Sequence, residues 1–141
     1  MQEFTLATVV AAPYEETVER TRTLLAEAGF GVLTEIDIAA TLRAKLGIDV
    51  PRELILGACR PQLAHRALEV DPRLAVLLPC NVVVTEIGDA TTRVEVLDPA
   101  LMTSFGDAPA LADVVGDARA RLTTMLAALD DTKEKIDAAR S

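Results

Sequence analysis

At 141 residues, half of them apolar, the chain has the length of one domain, and it can bury roughly 70% of the surface its unfolded form exposes without a disulfide or a metal to hold it. Lys and Arg number 14 against 22 Asp and Glu, a net charge of −8, and there are three Phe, one Tyr and no Trp. Phosphate backbones repel such a surface and so few rings make no base-stacking platform, which excludes nucleic acid as a partner and anionic membrane surfaces with it.

The first residues, Met1-Gln2-Glu3, place an acid where a signal peptide needs a basic region. The longest apolar run, residues 74–84, is broken by Pro79 and Asn81 and falls short of the roughly 20 residues that span a bilayer. The expectation is a soluble cytoplasmic protein with no membrane contact, whose two cysteines stay thiols.

Residues 4–12, rich in Val, Thr and Leu and stopped by Pro13, read as a strand. From Pro13 to Gly29 the period becomes helical: Val18, Leu24, Leu25 and Ala28 share a face, Glu15 and Glu16 favour the first turn, Pro13 opens the helix and Gly29 closes it. Residues 30–38 alternate as a strand, with Phe30, Val32, Thr34, Ile36 and Ile38 on one face and Gly31, Leu33, Glu35 and Asp37 on the other. Glu35 and Asp37 then point the same way, roughly 7 Å apart.

A short helix over 39–46, closed by Gly47, leads to a strand over 54–59 that delivers Cys59 at its end. Pro61 has the position of a first helical residue, so 61–70 is a helix with Leu63, Ala64, Ala67 and Leu68 facing inward. Residues 77–87 and 92–97 read as a hairpin turning at Gly88-Asp89-Ala90, and the stretch from Asp98-Pro99 to Pro109 as an irregular loop. From about Ala110 a long helix carries Leu111, Val115, Ala118, Leu122, Met125 and Leu129 in steps of three and four, a stripe that fits packing across the sheet better than a coiled coil. The division this implies is one α+β domain over 1–129, a mainly antiparallel sheet with helices packed on it, and a polar helical tail over 130–141.

Several of these words, taken in order, resemble the family called domain of unknown function 302: Gly29-Phe30-Gly31-Val32-Leu33-Thr34-Glu35-Ile36-Asp37, then Leu42, Lys45 to Gly47, Leu56-Gly57-Ala58-Cys59, Pro61 to Leu68, and Leu77-Leu78-Pro79-Cys80-Asn81-Val82-Val83. The resemblance spans residues 1–127. It implies a small α+β domain in proteins that often pair as dimers, and no established reaction. Many members resemble Cys-Asn-Pro where this chain has Cys59-Arg60-Pro61; Asn caps a helix through its side chain and Arg does not.

Both cysteines and the one histidine fall between Gly57 and Asn81. Cys59 and Cys80 read either as small buried hydrophobes at strand ends or as thiols, with Cys59 activated by the following helix N-terminus and by Arg60. Cys59, His65 and Cys80 match no zinc spacing, so no metal is assigned. His65 projects to the same side as Glu69, which fits a surface ion pair. Glu35 and Asp37 are candidates for general acid and base beside the reading of a solvated strand face near Lys45. A phosphate loop, a nucleophile elbow and a histidine pair are all missing from the sequence.

The cofactor is unknown, and the balance leans away from an enzyme. The function expected is a homodimeric module binding a small ligand or a partner around Cys59, Arg60, Cys80, Asn81 and His65. The alternatives are a thiol-dependent enzyme or sulfur or redox carrier using Cys59, and a structural assembly protein.

Overall fold

The computed structural model describes residues 3–105 and 108–140. In chain order its elements are β1 (Thr5–Val10), α1 (Tyr14–Glu27), β2 (Gly31–Asp37), α2 (Ile38–Leu46), β3 (Glu53–Cys59), α3 (Pro61–Val70), β4 (Cys80–Gly88), β5 (Thr91–Leu97) and α4 (Ala112–Arg140). Short 3-10 turns occupy Pro72–Leu77, Pro99–Ser104 and Ala108–Leu111. The sheet order is β1-β5-β4-β3-β2 with every pair antiparallel, so β2 to β5 form a meander and β1 closes the far edge against β5. This is the expected α+β domain with its long C-terminal helix.

Local chemistry accounts for the boundaries. Pro13 stands in extended conformation just ahead of α1, and Gly29 follows its C-terminus at φ 86°, a left-handed angle that side chains resist. Inside α1, Thr17 and Thr21 are buried, and their hydroxyls donate to the carbonyls of Pro13 at 2.9 Å and Thr17 at 2.7 Å, which leaves no orphaned polar group. Pro61 opens α3 at the residue the sequence marks. Asp71 and Asp98 accept from the backbone N–H of Arg73 and Ala100, and each is followed by a proline, so both stretches tighten into 3-10 turns; the first takes in Leu77, where the strand was expected to begin and which β4 joins only from Cys80, and the second lies within the expected irregular loop.

Alternation along the strands makes two unlike faces. On one, Leu54, Leu56, Ala58, Val82, Val84, Val94 and Val96 are buried beneath α1 and α4, with Leu25, Leu122, Met125 and Leu129 closing the core. Each fully buried Leu, Val or Met among these contributes about 1.5–3 kcal/mol. The stripe from Leu111, which ends the turn ahead of α4, through Val115 to Leu129 on α4 is thus consumed within the chain. The other face bears Val9 and Ile36, 43% and 46% exposed, with Ala7 exposed and Val83 and Ile55 half-buried.

Two expectations are corrected. The pairing of β2 with β3 slips between Val32 and Thr34, so Leu33 is an extra residue and the simple alternation over 30–38 fails. Val32 stands opposite Ala58 on the helix-covered side, whereas Thr34 and Ile36 stand opposite Gly57 and Ile55 on the uncovered side. On α3, Leu63 and Ala67 are buried and Leu68 is exposed, because only a narrow stripe of this short helix touches α4 and the core.

Candidate functional site

β3 delivers Cys59 to one end of the sheet, and the register settles which way it points. Ala58 is buried on the helix side and pairs with Cys80, which is buried on the same side at 3% exposure. Cys59, the next residue, therefore turns to the uncovered face, opposite Gly31, where it is half-buried. The two thiols lie one register step apart at one sheet end, yet on opposite faces. Burial pushes the Cys80 thiol up to about 11, and charge on nearby Cys59 adds to the rise, so Cys80 is a neutral core side chain at physiological pH.

Gly57 pairs with Thr34 on one side and Asn81 on the other. A Cβ at Gly57 would come within 2.0 Å of Thr34 Oγ1 and 2.9 Å of Pro79 Cγ, so the hydroxyl and the proline ring close over the glycine. Asn81 is exposed on the uncovered face. The result is a corner of Cys59, Thr34, Pro79 and Asn81 beside Gly31 and Gly57.

Arg60 does not join it. Its guanidinium lies 3.0 Å from Asp117 on α4 and reaches the Gly29 carbonyl at 3.5 Å, leaving the side chain only 12% exposed. Arg121 binds the same carboxylate at 2.9 Å and donates to the Ala28 carbonyl at 3.0 Å. The two arginines meet the carbonyl-rich C-terminus of α1, where positive charge is favoured. Arg121 first, and Arg60 after it, hold the Asp117 carboxyl below its ordinary value. No signal within the Cys59 region points to this node, because its acid lies 57 residues further along the chain.

The remaining candidates are dispersed. His65 is 80% exposed, with Nδ1 3.7 Å from Glu69 Oε1. Glu35 and Asp37 do face the same way, on the helix side opposite Leu56 and Leu54. Glu35 is paired with Arg22 at 2.7 Å, and Asp37 accepts from the Ala40 N–H at 2.9 Å, which makes it the N-cap of α2. Both border a cleft of about 310 Å³ with Tyr14, Val18, Arg22 and Leu54. Another cleft of about 510 Å³, which the sequence does not announce, lies between Arg73, Val76 and Leu77 on one side and Phe105 on the other. Neither cleft is lined by a cysteine. Among the described residues no group of three or more His, Cys, Asp or Glu is placed to hold a metal ion, and no helix is long and apolar enough to cross a membrane.

The architecture is that of a small α+β domain with helices over one face of an antiparallel sheet. The family model for Domain of unknown function DUF302 matches residues 6–129, and the chain belongs to that family. A solved relative, the crystal structure of uncharacterized conserved protein DUF302 from Bacillus stearothermophilus, is 31% identical with a TM-score of 0.78, over 89% of this chain and 97% of that one. No curated protein matches the chain.

Proposed function

We propose that the chain is a cytoplasmic homodimeric binding module whose work is recognition of a partner or a small ligand. The observation that carries this reading is the half-covered sheet: α1 and α4 bury one face, and the other keeps Val9, Ile36 and Ala7 in solvent. A domain that has spent its α4 stripe on its own core retains this surface for binding. The corner at Cys59 and Asn81 opens on the same face and is where a small ligand meets side chains able to donate or accept.

A thiol-dependent enzyme or carrier is the weaker reading. Arg60 is neutralised by Asp117, and Cys80 is buried with its thiol pushed up to about 11, so Cys59 has neither the cationic neighbour nor the second thiol that such chemistry uses. Light scattering at tens of micromolar protein tests the proposal. A mass of twice 15.0 kDa is expected, and the mass of a single chain overturns it.

A further inference from the structure

The sheet has two edges, and they are unlike. At one, β1 is packed by α4, and its Thr8 hydroxyl donates to Asp130. At the other, all seven residues of β2 are exposed and only the inner edge is paired, with β3. α1 packs on one face of β2, and α2, which follows it directly, packs on β3 instead. Among the described residues the outer edge of β2 thus carries backbone N–H and C=O groups that no strand takes up, the template on which an extended segment adds. Past the bulge at Leu33, Thr34 to Asp37 run in regular register, which is the stretch a further strand can follow.

Two clefts flank that stretch, and Glu35 and Asp37 border both. The first is the cleft of about 310 Å³ against α1, on the helix side where these two carboxylates point. The second, of about 560 Å³, is bounded by Ile36, which faces the uncovered side, and by Ala40, Ala44 and Lys45 of α2.

Their chemistry differs. The first is walled by Glu15, Glu19, Glu35 and Asp37 against the single guanidinium of Arg22, so three of the chain's eight net negative charges stand around it. Arg52, 4.8 Å from the centre of the Tyr14 ring, is itself bound by Glu86, which leaves the sum unchanged. Burial first, and Asp37 next, raise the Tyr14 phenol above its ordinary 10.0 even with Arg52 opposing them, so the carboxylate field reaches the ring. Val18 and Leu54 add apolar wall of the kind a lysine or arginine stem lies along. The second cleft offers Ile36 and two alanines, a fit for an apolar side chain.

An added strand places successive side chains on alternate faces, one set beside Glu35 and Asp37 and the other beside Ile36. We propose that the Thr34–Asp37 edge docks an extended segment of a partner protein as a sixth strand, with Lys or Arg side chains entering the acidic cleft against α1 and the intervening apolar side chains entering the cleft against α2. A second copy's β2 is not that segment: edge to edge, the two strands set Glu35 and Asp37 of one copy against those of the other on one face, like charge on like. The proposal deepens the partner-binding half of the reading above and is independent of the dimer half, so a single-chain mass leaves it standing.

The probe is an acetylated, amidated hexapeptide alternating Lys and Val, titrated by calorimetry, with amide shifts of isotope-labelled protein recorded in parallel. Saturable binding is expected, with shifts centred on residues 31–37 and 14–22, and a Glu-Val hexapeptide is expected not to bind. Two N-methylated versions carry the decisive contrast, one methylated at the Lys nitrogens and one at the Val nitrogens, because alternate N–H groups of a strand point to opposite edges. One version is expected to bind about tenfold more weakly and the other to match the parent peptide, as strand addition demands. Glu19→Lys, exposed on α1, is expected to weaken binding about threefold, and Glu69→Lys on α3, the same charge change elsewhere, to match the wild type. Binding indifferent to both methylated versions, or displaced by spermine at equal charge, reduces the edge to an acidic patch and overturns the proposal. Absence of binding at about 1 mM peptide overturns it as well.

Discussion

Gly57 tests the geometry of the Cys59 corner directly. Its backbone is not in the left-handed region, so replacing it by Ala creates no conformational strain, and the whole effect arises from the space its Cβ would enter. That space is taken: Thr34 Oγ1 at 2.0 Å and Pro79 Cγ at 2.9 Å are both inside contact distance, whereas Thr34 Cβ at 3.4 Å is not crowded. Thr is stiff at χ1 and a proline ring moves little, so relief requires a changed Thr34 rotamer or a shift of β2 away from β3. Overpacking of this kind costs about 1–3 kcal/mol, and the lower chain entropy of the unfolded Ala variant offsets about 0.4–1 of it.

The expected net loss for Gly57→Ala is therefore about 1–2 kcal/mol, a fall of roughly 3–8 °C in a chain of this size. Thr34→Ala in the same background removes Oγ1 and leaves only the Pro79 contact, so the double variant should recover at least half of the loss, a coupling a double-mutant cycle reads out. Scanning calorimetry or circular dichroism melts supply the numbers. A Gly57→Ala melt within 1 °C of wild type, or a double variant no better than the single, refutes the packing described.

Two further outcomes follow from the thiols. Cys59 should react with iodoacetamide in the native protein well before Cys80, judged by peptide mass spectrometry, and Cys59→Ser should remove the early phase; equal modification of both only on unfolding contradicts their placement on opposite faces. Since Cys80 has its pKa raised from 9.0 to about 11 in the fold, its contribution to stability is complete below pH 9 and lost as pH climbs toward 11, with a ceiling of about 3 kcal/mol at roughly 1.4 per unit. Burial, with Asp37 nearby, also raises Tyr14 from its ordinary 10.0, so Cys80→Ala should flatten only part of this alkaline fall in melting temperature, and an unchanged slope counts against a buried thiol.

How legible the fold is from sequence depends on whether the cause is local. Pro61 and the apolar spacing after it define α3 to the residue, because a proline at a first helical position needs no distant partner. The bulge at Leu33 is invisible, since it is defined by what β3 places opposite, and it moves Thr34 and Ile36 to the face away from Val32. Asp37 as an N-cap is readable in principle from Asp37-Ile38-Ala39-Ala40, an acid just ahead of an apolar helical run, but the strand alternation claims the same residue. For the site, a thiol beside a helix N-terminus is a local inference, while the fate of Arg60 is decided by Asp117 and Arg121 on a helix from the other end of the chain. Sequence proximity to Cys59 misleads there because electrostatics answers to distance in space.

The sheet order has a bearing on how the protein is made. β1 is synthesised well ahead of its partner β5, which begins only at Thr91, and α4, which packs on β1 and supplies Asp130 to the Thr8 hydroxyl, comes later still. At about 5–20 residues per second, β1 waits roughly 4–16 s on the ribosome with its apolar side chains and both hydrogen-bonding edges unoccupied. The meander from β2 to β5 zips by neighbour pairing during that interval, and β1 must then be captured from the far end. A nascent-chain chaperone that serves this protein therefore has work to do on β1 until Thr91–Leu97 has emerged to pair with it.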